Sequence, residues 1–290
     1  MSRNIKTIAV KSEFIRNGNT KLHVNIYSSH LKEVIIVLHG GPGVPDEMLE
    51  VVDVLKENYQ VIYFEQRGVG LSACEEANYK MEAYISDIDA ICSHLSIYSF
   101  HLFGHSWGGL YAQIYAKEKP AKIKSLFLCS PSSGTNNTWK KTEMEVMQLH
   151  KEICDFKEWF HMGWFSLFGM LGIDEAYQKL FRQVLKNYHK NYGEVDFEDA
   201  FFDKIYAAPV NKTRKEIMKY KPLTIFSKPD FPVLISYGDA DIYGESKGSL
   251  IGRFPTATVE IINTCGHIPW KHNAAAFQKL LNKFYSQKEI

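Results

Sequence analysis

The chain has 290 residues, 45% of them hydrophobic and 23% charged, which excludes a chain unable to offset its ordering entropy by apolar burial. Lys and Arg number 34 against 33 Asp and Glu, a formal net charge of +1, so no basic excess is available for nucleic-acid phosphates. The length suits one large α/β domain or one domain carrying an insertion. The 5 cysteines show no C-x-x-C spacing, which argues against a zinc site or a redox dithiol and fits a reducing compartment. The N-terminal MSRNIKTIAV lacks the apolar stretch of a signal peptide, and the longest nearly pure apolar run, Val34 to Leu38, is far short of a membrane span. The expectation is a cytoplasmic protein with neither a membrane nor a nucleic-acid partner.

In chain order, residues 7–16 and 21–27 read as strands separated by the turn signal Asn17-Gly18-Asn19. EVIIVLH at 33–39 is a β-branched run suited to a buried strand. Asp46 is placed to cap a helix carrying Met48, Leu49, Val52 and Leu55. QVIYFE at 60–65 is a second buried strand, ended by Arg67-Gly68-Val69-Gly70. Helical spacing follows over 81–95, then a strand at 100–103, a turn at 104–109, a helix at 110–117 and a strand at 123–129. This alternation is that of a mostly parallel sheet with helices on both faces, an α/β fold. Residues 132–228 break the rhythm. They contain no convincing buried strand, and 138–156, 157–171, 174–189, 198–207 and 212–220 read as helices rich in aromatics. The α/β pattern resumes with a strand at 233–237, a helix near 246–251, a strand at 258–262 and a helix at 273–286. The expected organisation is a core of residues 1–131 and 229–290 interrupted by a helical cap, 132–228.

The strongest chemical signal is Gly104-His105-Ser106-Trp107-Gly108-Gly109. It is a G-x-S-x-G between a strand and a helix, the context in which a serine is held on a sharp turn as a nucleophile. A serine hydroxyl needs a base, and in the chain order Ser, Asp, His that base lies C-terminal to it. His267, in Cys265-Gly266-His267-Ile268-Pro269-Trp270 after the last strand, is the preferred candidate, with His272 its nearest rival. The acid should follow the strand at 233–237. Asp241 is favoured because a longer reach from the strand end lets the loop fold back over His267. Asp239 and Glu245 are the alternatives, Asp239 being suited to capping turn N–H groups. The N–H groups of Gly41, in His39-Gly40-Gly41-Pro42-Gly43, and of Trp107 are candidates for an oxyanion hole. Such a site requires no cofactor and no metal.

Five segments then fall in order: HGGPG at 39–43, EQRGVGLS at 65–72, GHSWGG at 104–109, GDAD at 238–241 and CGHIPW at 265–270. Together they resemble the α/β-hydrolase superfamily and, within it, the proline iminopeptidase branch. The resemblance spans roughly residues 20–131 and 229–286. It implies the α/β-hydrolase fold, a Ser-Asp-His triad, a helical cap and removal of an N-terminal residue, commonly proline, from short peptides. Two departures stand out. Glu65 occupies a position where the branch usually has Asp, and its extra methylene is expected only to adjust a structural salt bridge around Arg67. The branch's cap motif carrying an amine-binding glutamate is not found, although Glu194, Asp196, Glu198, Asp199 and Asp203 form an acidic cluster that could bind a substrate ammonium. The expected partner is a short peptide or another small molecule. The alternatives are an esterase, lactonase or amidase acting on a small apolar acyl compound, and a non-catalytic small-molecule binding protein on the same fold.

Overall fold

The computed structural model describes residues 10–28, 33–46, 48–193 and 198–286. Strands β1 (Val10–Asn17) and β2 (Thr20–Tyr27) form the expected hairpin, with Asn17 opposite Thr20 and Gly18 at a positive φ of 59°. Strand β3 (Val34–Leu38), helix α1 (Leu49–Leu55), β4 (Gln60–Phe64), the two-residue β5 (Ala73–Cys74), α2 (Met81–His94), β6 (Phe100–His105), α3 (Trp107–Glu118) and β7 (Ile123–Cys129) follow. The helical segment comprises α4 (Asn137–Ile153), α5 (Phe156–Met170), α6 (Asp174–His189), α7 (Asp199–Phe202) and α8 (Ala207–Lys219). Strand β8 (Val233–Gly238), α9 (Ser246–Arg253), β9 (Thr258–Ile262), α10 (Pro269–His272) and α11 (Ala274–Ser286) complete the described chain.

The sheet runs β1-β2-β4-β3-β6-β7-β8-β9, with β5 paired to β2. Pairs β1–β2, β2–β4 and β2–β5 are antiparallel, and all the other pairs are parallel. Successive side chains of a strand point to opposite faces. Ile36 and Leu38 therefore pack with Tyr84, Ile88, Leu110 and Ile114 of α2 and α3. Their neighbours Ile35 and Val37 pack with Val51, Val52 and Leu55 of α1 and Phe277 and Leu281 of α11. Burial on both faces is why β3, β6 and β8 carry no exposed residue.

Three local expectations are corrected. Asp46 does not cap α1. Met48 occupies the cap position in a left-handed conformation, and the Asp46 carboxylate accepts instead from the Met48 N–H at 3.2 Å. The helix expected at 198–207 is only the four residues of α7, and α8 opens at Ala207 rather than near 212. Pro209 permits that start, because a first-turn residue needs no N–H for the helix ladder, and the free Ala207 N–H is taken by Asp174 Oδ1 at 2.6 Å. Arg67 does not pair with Glu65. Its buried guanidinium forks onto Asp87, with Nε–Oδ2 at 2.8 Å and Nη2–Oδ1 at 2.6 Å, while Glu65 accepts from the Leu71 N–H at 2.7 Å.

The helical segment packs against the loops at the C-terminal ends of the parallel strands. A Cβ on Gly43 would lie 2.5 Å from the Val210 nitrogen, and Tyr84 OH meets Thr213 Oγ1 at 2.7 Å. No helix among the described residues is long and apolar enough to cross a membrane.

Burial holds several histidines neutral. It pushes His39, His101, His150 and His189 down to about 4, and His105 and His272 down to about 3. In the unfolded chain the same imidazoles titrate near 6.5. Between those values the unfolded state binds more protons, so stability falls as pH falls. The melting temperature should therefore decline steadily as pH is lowered from about 6.5 toward 4. A melting temperature that stays flat or rises over that range in a scanning-calorimetry series would contradict this assignment.

Candidate active site

The turn between β6 and α3 places Ser106. Its backbone has φ 53° and ψ −118° at the N-cap of α3, a strained conformation for a residue with a Cβ. The close approaches around it admit only glycine. A Cβ on Gly104 would lie 2.3 Å from the Gly108 oxygen, and one on Gly108 would lie 2.3 Å from the Leu38 oxygen. The strand's carbonyls and the first turn of α3 are thereby pressed together, and the serine side chain is forced outward beyond the end of β6.

Two loops converge on it. His267 Nε2 stands 3.1 Å from Ser106 Oγ, and His267 Nδ1 stands 3.1 Å from Asp241 Oδ1. The Asp241 carboxylate is fully enclosed. Burial opposes its ionisation. The adjacent imidazole, the Ser130 hydroxyl at 2.6 Å and the Tyr243 N–H at 3.3 Å more than compensate, and the carboxyl is held below its ordinary range. A carboxylate accepts hydrogen bonds only, so His267 carries its proton on Nδ1 and presents a lone pair on Nε2 to the serine. The arrangement can accept the Ser106 proton and stabilise the resulting imidazolium.

The remaining candidates separate by geometry. Asp239 accepts from the Thr264 and Cys265 N–H groups, each at 2.8 Å, and ties the β8 turn to the loop that carries His267. Those bonds hold its carboxyl low. Glu245 is exposed beyond it. His272 receives the Gly266 N–H on Nδ1 at 3.1 Å, and its Nε2 meets His189 Nδ1 at 3.0 Å, so it is turned away from the serine. Trp107 opens α3, where backbone N–H groups have no intrahelical acceptor. The HGGPG loop passes directly beside Ser106, since a Cβ on Gly40 would lie 3.3 Å from Ser106 Cβ. Gly41 is in the left-handed region at φ 59°.

Sequence reasoning missed the support of that loop. Gln66 donates from its side chain to the His39 carbonyl at 2.9 Å and accepts from Trp107 Nε1 at 2.7 Å, while its N–H donates to His39 Nε2 at 3.1 Å. Gln66 thus clamps the glycine loop to the start of α3. Its place in the Glu65-Gln66-Arg67-Gly68 segment was the available signal. Ser130 and Tyr243 were also missed, and nothing in composition or spacing marks them. Of the acidic cluster, Glu194 and Asp196 lie outside the described residues. Glu198, Asp199 and Asp203 are exposed, and Asp199 pairs with Arg182 at 2.5 Å.

Residues 33–153 match the alpha/beta hydrolase fold family. A proline iminopeptidase of Lactobacillus crispatus (strain ST1) is 35% identical over 128 residues, 42% of this chain and 41% of that protein. The chain thus spans about two fifths of the length of the first curated relatives it matches. Over the fuller length, a proline iminopeptidase of Lactobacillus delbrueckii subsp. lactis is 24% identical, covering 94% of this chain and 97% of the relative. Among solved structures, proline iminopeptidase of Mycobacterium smegmatis has a TM-score of 0.67 at 16% identity, covering 96% of this chain and 98% of that one. An enol-lactonase of Burkholderia xenovorans LB400 has a TM-score of 0.66 at 15% identity, covering 95% and 100%. With its sheet order and its strand–serine–helix turn, the chain has the α/β-hydrolase fold, residues 33–153 match that family's model, and its sequence is similar to the proline iminopeptidases.

Proposed function

We propose that the protein is a serine hydrolase working through an acyl-enzyme on Ser106, and that it releases N-terminal residues from short peptides. The observation that carries the reading is the continuous Asp241–His267–Ser106 chain, with both links at 3.1 Å. Ser106 Oγ attacks the scissile carbonyl while His267 Nε2 takes its proton. Asp241 holds the imidazole in the required tautomer and stabilises its charged form. The N–H groups of Gly41 and Trp107 receive the oxyanion. His267 then protonates the departing amine, and a water activated by the same imidazole hydrolyses the ester. The helical segment 132–228 acts as a cap over this site. Tyr188 of α6 supports that role, with its ring 5.3 Å from the His267 ring and nearly edge-on. The peptide preference rests on sequence similarity to proline iminopeptidases over 94% of the chain.

An ester- or lactone-hydrolysing activity is the second reading. It is favoured by the state of the carboxylates on the segment. Glu145 is bonded to the Gly244 and Ser246 N–H groups at 3.0 and 2.8 Å, Glu143 is paired with Arg214, and Glu158 is paired with Lys186. The exposed Asp199 is paired as well. Carboxylates so engaged are poorly placed to bind a substrate ammonium.

The two readings separate on substrates. A prolyl or alanyl anilide with a free amine should be turned over with higher kcat/KM than its N-acylated form or a short-chain nitrophenyl ester. The opposite order would replace the peptidase reading with the esterase one. The assignment of the acid is tested independently. Asp241→Asn should lower kcat by about 10⁴-fold, because the imidazole loses its orienting charge. Asp239→Asn should leave kcat nearly intact and lower the melting temperature only slightly, since the amide keeps one oxygen to accept from the Thr264 or Cys265 N–H. Steady-state kinetics giving the reverse ranking would assign the acid to Asp239.

A further inference from the structure

Tyr243 lies two residues beyond Asp241, and its hydroxyl is 3.1 Å from Ser106 Oγ and 2.7 Å from Ser132 Oγ. Its ring stands edge-on to His267, with centroids 5.1 Å apart at 86°. The residue is only 4% exposed. Burial raises its phenol above the ordinary value, so the hydroxyl keeps its proton at neutral pH. The loop is fixed from outside the core, because Glu145 of α4 accepts from the Gly244 N–H, the Ser246 N–H and the Ser246 hydroxyl. The Ser132 N–H in turn donates to the Ser106 carbonyl at 2.9 Å.

Counting protons sets the direction of these bonds. The Ser106 hydrogen is directed at His267 Nε2, whose partner nitrogen is protonated against Asp241. Ser106 Oγ then has only lone pairs to offer Tyr243. Tyr243 must donate to Ser106 Oγ and accept from Ser132.

We propose that Tyr243 is a catalytic residue whose hydroxyl donates a hydrogen bond to Ser106 Oγ, and that its larger effect falls on deacylation. The proposal rests on Ser106 being the acylated nucleophile. In acylation, Oγ forms a bond to the carbonyl carbon and the leaving group departs with the proton carried by His267. In the free enzyme Tyr243 already bonds a hydroxyl oxygen, so the bond strengthens only modestly on the way to the acylation transition state, whereas in the acyl-enzyme Oγ is an ester oxygen, a weak acceptor, and the gain on expulsion is larger. In deacylation the roles change. A water oxygen bonds to the acyl carbon and gives a proton to His267. The tetrahedral intermediate then collapses, the C–Oγ bond breaks with its electron pair staying on Oγ, and His267 returns the proton to it. Negative charge grows on Oγ during that collapse, and hydrogen bonds to charged oxygens are stronger than neutral ones. Tyr243 is already aimed at the atom on which the charge appears.

The test is pre-steady-state kinetics with 4-nitrophenyl acetate on the full chain, with the acetyl-enzyme followed by intact-protein mass. Tyr243→Phe keeps the ring that packs on His267 and removes only the hydroxyl. It should slow deacylation roughly 10- to 100-fold, the scale of one hydrogen bond to a charged group, with acylation changed much less. Acetyl-enzyme should accumulate in a burst larger than that of the parent. Ser132→Ala leaves the phenol but loosens it, and should slow deacylation by a smaller factor. Unchanged deacylation in Tyr243→Phe, or equal slowing of both steps, would overturn the role given to Tyr243. Ser106→Ala serves as the separate control. Acetylation that persists in that variant at the parental rate would overturn the nucleophile assignment instead.

Discussion

The candidate site depends on the strained backbone of Ser106. Its φ of 53° and ψ of −118° lie outside the regions that a residue with a Cβ prefers, a strain on the order of 1–3 kcal/mol. The sheet and α3 sustain it, because β6 is hydrogen-bonded on both sides and α3 packs across it. The contact distances at Gly104 and Gly108 leave no room for any other side chain. Once the serine is fixed beyond the end of a central parallel strand, only loops leaving the same edge of the sheet can reach it. Those after β8 and β9 do so, carrying Asp241 and His267.

The helical segment is bound into that edge at several points. Tyr188 of α6 faces the His267 ring, His189 meets His272 beside the same loop, Glu145 of α4 holds the turn after Tyr243, and Pro209 and Val210 of α8 abut the glycine loop. Most of these contacts join the segment to positions within a few residues of Ser106, His267 or Asp241. In the proposed function, where the segment caps the site, these shared side chains would tie the position of the segment to the alignment of Ser106, His267 and Asp241.

Much of this was legible in the sequence, because the relevant constraints are local. β-Branched runs such as Val34 to Leu38 can be buried on both faces only in a parallel sheet covered by helices. The glycine pattern around Ser106 marks a turn that few other residues could make. Reach along the loop favours Asp241 over Asp239 as the candidate acid, and the Asp239 carboxylate accepts from the N–H groups of Thr264 and Cys265. What escaped detection depends on tertiary approach. Tyr243, Ser130 and Gln66 act through neighbours distant in sequence, and no periodicity encodes such pairs. The α7–α8 boundary was misjudged because the hydrophobic spacing continues across it. The break follows from Pro209 and from Asp174, a cap supplied by another helix.

Activation of Ser106 as a nucleophile by His267 is tested most directly by reacting the protein with a fluorophosphonate and locating the adduct by peptide mass spectrometry. A single phosphonylated peptide containing Ser106 is expected, lost in Ser106→Ala and formed far more slowly in His267→Ala. Labelling at another residue, or labelling that persists unchanged in Ser106→Ala, would contradict it.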